Sequence, residues 1–482
     1  MTAVGSFEEL DRAMTPASLA IAGVGQTGMG RLFLSRVVQY GFKGPVYPLH
    51  PAGGEALGLK VYPNVNDVPG PVDYVVSCVS APRVPQLIVD CATKGVRAVC
   101  VFTAGYSETG TAEGRQLEED LVRLARATGV RVIGPNCMGV FCPKAGLSVA
   151  SDAPREQGRV GLICQSGGNA MYLIRAAGDR GIRFSKAVSY GNACDLDETE
   201  LLEYFTQDGE TDMVAAYVEG VKDGRRFLGA VKRLAAEKPF VVLKGGHTAA
   251  GTGAAASHTG ALAGSDSVWD SLLEQIGAIR VHTLDEMVDM MVTFQFMPVP
   301  GGRRLVVFGV GGGATVLTTD DCSALGFTFP PLPADVRQEL HEAVGGDAGN
   351  ILGNPVDIPP MVGTNEGYQR LLRRMLGWDG VDLLLYQLPF RGIMLKVPLA
   401  HMIFGSQMAN VVRVAGEGIK PVAVVIHYLA TGEGWREAST YVRQAWESGL
   451  PAYYSAASAA RAIDRLLRYH ERMRTGPPSP DG

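Results

Sequence analysis

Leu19-Ala20-Ile21-Ala22-Gly23-Val24-Gly25-Gln26-Thr27-Gly28 is a short apolar run that breaks into a GxGxxG cluster, and a helical pattern follows over 31–40. A buried strand, a tight glycine turn and a helix in that order open a βαβ unit. Outward from it the alternation continues. Further apolar runs rich in β-branched residues lie at 46–49, 74–78, 98–102 and 130–133. The stretch 116–128 sets Leu117, Leu121 and Leu124 among charges at helical spacing. Strand, helix, strand at such intervals specifies a parallel sheet with helices on both faces.

A second unit opens at Gly158-Arg159-Val160-Gly161-Leu162-Ile163 and a third at Arg304-Leu305-Val306-Val307-Phe308, with Pro298-Val299-Pro300-Gly301-Gly302 reading as the linker between them. The two look like diverged copies. Each has a strand, a glycine cluster (Gly167-Gly168; Gly311-Gly312-Gly313), a helix, then Gly181-Ile182 or Gly326-Phe327, and later Lys-Pro before an apolar strand at 238–243 or 420–425. Such a repeat implies two similar doubly wound folds. The domains expected are 1–148, 155–297 and 303–472, with a disordered Pro-rich tail over 473–482.

The net charge of -5, with mixed signs, offers no basic field for nucleic acid. No apolar run reaches the roughly 18 residues of a membrane helix, and the acidic N-terminus is unlike a signal peptide. A soluble, cytoplasmic protein is expected. The eight cysteines are scattered without CxxC or zinc-like spacing, so neither a disulfide framework nor a metal site is expected.

In a GxGxxG turn the glycines let the backbone approach a pyrophosphate, which rests on amides at the helix N-terminus. NAD would want an acid about 20 residues further on, at the end of the second strand. Here that strand ends in His50-Pro51. A nucleotide with a phosphorylated ribose, such as coenzyme A, therefore competes with NAD, and a ligand-free tight turn stays open as the alternative. The candidate binding residues are Gly23, Gly25, Gln26, Thr27 and Gly28, joined by Ser80, Ala81 and Pro82 and by Asn136 and Cys137 on two loops expected at the same sheet edge. For Cys137 a small packing residue is the plainer reading, because no His or carboxylate stands beside it.

The stretch 245–264 is almost entirely Gly, Ala, Ser and Thr around His247 and His258. It lacks the bulk to anchor itself, so a mobile or closely approached segment is expected. His258, between Ser257 and Thr259-Gly260, offers a neutral nitrogen nucleophile, although an ordinary loop histidine is the plainer reading of one residue in isolation. A phosphoryl group there would need amide donors, which Gln165, Ser166, Gly167 and Gly168 could supply at a helix start. It would also need a carboxylate to orient the ring. Glu219, just past the run 213–218, is the candidate.

Gly134-Pro135-Asn136-Cys137, Ser189-Tyr190-Gly191-Asn192, the run Glu219 to Phe227, Ala255-Ala256-Ser257-His258-Thr259-Gly260 and Gly353-Asn354-Pro355-Val356-Asp357 together resemble the nucleoside-diphosphate-forming acyl-CoA synthetases. That family includes ADP-forming acetyl-CoA synthetase and, more distantly, succinyl-CoA synthetase. The resemblance implies an α/β chain with a Rossmann-like CoA-binding domain followed by two flavodoxin-like doubly wound domains. It implies phosphorylation of His258, support from Glu219, and interconversion of acid, CoA and ATP with acyl-CoA, ADP and phosphate. The chain carries no ATP-grasp region, so it looks like an α-type subunit needing a separate ATP-grasp β subunit that holds ATP or ADP with Mg2+, in a hetero-oligomer acting on a small carboxylic acid or acyl-CoA. Three departures stand out: Ala52 where relatives often have lysine, Gly168-Asn169 for the commoner Ala-Leu, and an unusual Tyr386-Gln387-Leu388-Pro389-Phe390-Arg391. They leave two rivals in view, a ligase with a non-CoA acyl acceptor and a CoA-binding regulatory protein.

Overall fold

A computed structural model of the chain describes residues 7–248, 250–251, 266–309, 311–344, 351–358, 364–388, 397–428 and 431–475. The chain forms two compact units, one of Met1–Gly178 with Arg183–Met287 and the other of Asp179–Ile182 with Val288–Gly476.

The first unit holds two large sheets. Strands β1 (Leu19–Ala22), β2 (Val46–Leu49), β5 (Tyr74–Ser77), β6 (Ala98–Val101) and β7 (Arg131–Ile133) form an all-parallel sheet in the order β2-β1-β5-β6-β7. A small antiparallel pair, β3 (Gly54–Ala56) and β4 (Leu59–Val61), follows β2. Helices cover the sheet, so β1, β5 and β6 are buried along their whole length. That is why they read as unbroken apolar runs instead of alternating ones.

The second sheet comprises β9 (Val160–Cys164), β10 (Phe184–Ser189), β11 (Met213–Val218), β12 (Phe240–Lys244) and β13 (Ile279–Val281), and takes in β8 (Gly139–Phe141), which pairs antiparallel with β10. The stretch 1–148 therefore does not serve the first sheet alone. After β7 the chain runs back along the edge of the second sheet before entering it. One apolar core, from Met14 and Tyr74 to Phe205 and Val214, runs through both sheets.

The second unit is built on β14 (Leu305–Gly309), β15 (Ile351–Leu352), β16 (Val356–Asp357), β17 (Leu383–Leu388), β18 (Val422–Ile426) and β19 (Ala452–Tyr453), ordered β15-β16-β14-β17-β18-β19. Counting only the parallel strands, it matches the second sheet: 2-1-3-4-5 with one antiparallel strand outside strand 2. The sequence repeat is thus a repeat of topology. The helix Ala456–Thr475 carries buried Ile463, Leu466 and Leu467 along one side and continues through Met473, so the first three residues of the tail expected over 473–482 are helical. Residues 476–482 lie outside the described residues.

Candidate functional site

In sheets of this order ligands sit beyond the carboxyl ends of the strands, where the winding reverses. In the first sheet that point falls between β1 and β5. A cavity of about 690 Å³ opens there, lined by Gly23, Gly25 and Thr27 from the glycine turn, His50 from the end of β2, and Ser80, Pro82 and Arg83 after β5. Backbone geometry explains the glycines. Gly23 has φ +90° and a Cβ on it would lie 2.9 Å from the Cys78 carbonyl oxygen. Gly28, at φ +93°, precedes the helix Met29–Tyr40, caps it with no side chain, and has nothing within 4 Å of where a Cβ would be. The helix start is therefore open and its amides can receive an anion.

Gln26, Gly28, Ala81, Asn136 and Cys137 are not among the residues lining this cavity. The Cys137 thiol is buried, 3.6 Å from that of Cys100 and directed at the Ile133 carbonyl, and burial pushes its pKa up. Asn136, at φ +58°, belongs to a turn that packs on Gly191, where a Cβ would lie 2.2 Å from the Pro135 carbonyl oxygen. The Asn192 amide donates to that carbonyl, and the Cys194 amide to that of Gly134. These motif residues join the two sheets of the first unit.

The second candidate site lies beyond β9 and β11. The helix Gly167–Asp179 starts there with no acidic residue in its first turn, and Gly168 is exposed. Gln165 is buried, and its side-chain carbonyl accepts the backbone N–H groups of Glu219 at 2.7 Å and Gly220 at 3.2 Å. Its role is to tie the end of β9 to the end of β11. Glu219 is also buried, at 6% exposure, so its charge stands in a low-dielectric setting. Tyr217 stands beside the Glu219 carboxylate, and burial first and Glu219 second push the phenol's pKa up. Gly245 closes this pocket from above. A Cβ on it would lie 2.7 Å from Tyr217 Oη and 3.3 Å from Glu219 Cγ, and its amide bonds the Val218 carbonyl at 2.8 Å. Beside it Lys244 is buried, donates to the Gly245 carbonyl, and has its pKa pulled down by burial against the opposing pull of Asp266 and Glu219. His258 lies outside the described residues.

The sequence alone did not single out Tyr217 or Arg83; it marked Asn169 only as a departure from the commoner residue and Gly245 only as the start of the small-residue stretch. For Tyr217 a signal existed, since residues i and i+2 of a strand share a face and it stands two before Glu219. For the others, nothing local marks which side chain a neighbouring strand will meet. No described cluster of His, Cys, Asp and Glu is arranged to hold a metal ion, and no described helix is long and apolar enough to cross a membrane.

Comparison with known proteins fits this geometry. Residues 18–143 match the CoA binding domain, and residues 157–294 match the succinyl-CoA ligase like flavodoxin domain. The chain is 35% identical to the acetate–CoA ligase (ADP-forming) II subunit alpha of Pyrococcus furiosus over 378 residues, 78% of this chain and 81% of that one. It is 32% identical to the corresponding I subunit alpha over 473 residues, 95% of this chain and 97% of that one. A solved structure of dinucleotide forming acetyl-coenzyme A synthetase 1 from Ca. Korarchaeum cryptofilum, in complex with phosphate and ADP, superposes with a TM-score of 0.81 at 32% identity, covering 96% of this chain and 97% of that one. The chain belongs to the α-subunit family of the ADP-forming acyl-CoA synthetases, distantly related to the succinyl-CoA ligase α subunit.

Proposed function

We propose that this α subunit interconverts acyl-CoA, phosphate and ADP with acid, CoA and ATP by way of a phosphorylated His258, with CoA held over the first sheet and a separate ATP-grasp β subunit supplying the nucleotide site with Mg2+. The observation that carries the reading is the buried Glu219, whose backbone amide is tied to Gln165 and whose carboxylate stands beside Tyr217, near the start of the helix Gly167–Asp179. Gly245 lies directly over Glu219 and begins the tether to His258, thirteen residues on.

The chemistry balances in three transfers. A phosphate oxygen attacks the thioester carbonyl, the C–S bond breaks, and CoA leaves as its thiol with the phosphate's proton. The His258 ring nitrogen then attacks phosphorus, and the bond from phosphorus to the acyl oxygen breaks, releasing the carboxylate. Finally the terminal oxygen of ADP displaces the histidine and ATP forms. The amides of Gly167 and Gly168 would neutralise the phosphoryl group, and Glu219 would hold the ring and its developing charge.

The cavity beside β1 fits CoA, because its glycine turn leaves helix amides open and its volume is that of a cofactor site. The β partner follows from relatives that are themselves named alpha subunits. A cytoplasmic location agrees with such substrates. Incubating the chain and its β partner with γ-labelled ATP tests the proposal. The expected result is an acid-labile, base-stable label on the wild type and none on His258→Ala. An unlabelled wild type, or a fully labelled variant, would overturn it.

A further inference from the structure

We infer that Arg83 recognises the phosphate on the ribose of the bound nucleotide; this rests on the reading of the first cavity as a CoA site. The cavity has two chemically different walls. On one, Gly23 and Gly25 lead to the open helix start, which suits a diphosphate. His50 belongs to the same wall. Its Nδ1 accepts the Ala52 amide at 3.2 Å, and its Nε2 stands 3.9 Å from where a Cβ on Gly25 would be.

The other wall holds Asn64, Arg83, Gln86 and Asp90. A ribose with free hydroxyls needs an acceptor, and Asp90 is the acid in this wall. Both its oxygens are engaged, Oδ2 by Asn64 Nδ2 at 2.6 Å and Oδ1 by Gln86 Nε2 at 2.9 Å. Arg83 is the opposite case. It ends the turn Ala81–Arg83, its backbone N–H is spent on the Ser80 carbonyl, and its guanidinium is exposed with no carboxylate partner among the described residues. The wall thus carries a committed acid and an uncommitted, permanently charged, fork-shaped donor. That combination discriminates against a ribose diol and in favour of a ribose phosphate.

Isothermal titration of the full chain with CoA and with 3'-dephospho-CoA tests this, the two ligands differing only in that phosphate. The wild type is expected to bind CoA more tightly by about tenfold or more. Arg83→Gln should weaken CoA alone, bringing the two affinities within about twofold, and Arg83→Lys should restore part of the preference. A merely structural role would weaken both ligands together, and that result overturns the inference. A wild type that binds both ligands equally overturns it while leaving the CoA reading standing. A wild type that binds neither overturns the CoA reading, and the inference with it.

Discussion

The second and third sheets share one strand order, yet their glycine turns end differently. After β14 the chain answers its own helix start: the Gly311 amide donates to Asp357 Oδ1 at 2.7 Å, and a Cβ on Gly312 would lie 3.2 Å from Oδ2 of the same carboxylate. After β9 no carboxylate stands at the corresponding place: a Cβ on Gly167 would lie 2.7 Å from Met138 Cγ and 3.6 Å from Ser189 Oγ. The difference reduces to one register position. Gly309 at the end of β14 pairs with Asp357, whereas Cys164 at the end of β9 pairs with Ser189. Ser189 is small and neutral, and its hydroxyl serves the Met138 amide at 3.1 Å. A further contrast lies at the third strand. Glu219 follows β11, while the same count past β17 reaches Pro389, which has no ionisable group. Topology supplies a cradle in both copies. A carboxylate fills one, and in the other a carboxylate stands beside it.

The difference between the two copies is testable at four residues. The largest effect is expected from Glu219→Gln, which keeps the shape and removes the charge. Labelling of His258 by γ-labelled ATP should fall by about 10³-fold with little change in unfolding. Labelling near the wild-type rate would show that the carboxylate does not distinguish the two copies.

The next concerns Glu198, the first residue of the helix Glu198–Gln207, whose counterpart at the start of the helix Asn365–Gly377 is the neutral Asn365. Glu198 is buried, its Oε1 has no hydrogen-bond partner among the described residues, and burial, with Asp197 adding to it, pushes its pKa up to about 7. A folded-state pKa above the unfolded one means that the native state holds a proton the unfolded chain releases. Stability is then full below the unfolded value and falls as pH rises toward 7, by about 3 kcal/mol in all. Glu198→Gln should remove that decline. Urea unfolding of both proteins at pH 5 and pH 8 checks it, and parallel curves would refute the assignment.

Third, Ser189→Asp should fill the second cradle as Asp357 fills the third. Labelling of His258 is expected to fall about 100-fold, comparable to losing an anion-binding donor, while Ser189→Ala retains most of it. Equal losses in the two variants would mean that Ser189 acts only through its packing. The smallest effect belongs to the reverse exchange. Asp357→Ser should open the third cradle and destabilise the second unit by about 1 kcal/mol, read as a lowered unfolding midpoint with labelling retained. A labelling loss as deep as that of Glu219→Gln would place the third cradle in the reaction.

Much of the architecture was legible in the chain. Fully buried parallel strands must be continuous apolar runs, and the runs at 19–24, 74–78 and 98–102 mark β1, β5 and β6 to within a residue or two. The repeat was legible because two copies of a fold need glycine at the same turns. The antiparallel strand β8 was not. Gly139–Phe141 is three residues long and sits inside a stretch that belongs otherwise to the first sheet, and its pairing with β10 is a long-range choice that no local pattern encodes.

The candidate site divides in the same way. Gly23, Gly25 and Glu219 were readable because each follows a strand, and strand ends in this fold class face ligands. Asn136 and Cys137 also follow a strand, yet they pack into the junction with Gly191 and Asn192, because a second sheet covers that edge. Residue order thus determined by itself that the chain builds wound parallel sheets, where their turns fall, and which turns can approach an anion. Only the tertiary structure decided which cradle receives a carboxylate. That outcome depends on the side chain a neighbouring strand delivers to the helix start, Ser189 in one copy and Asp357 in the other, and register between strands is settled by packing across the whole sheet.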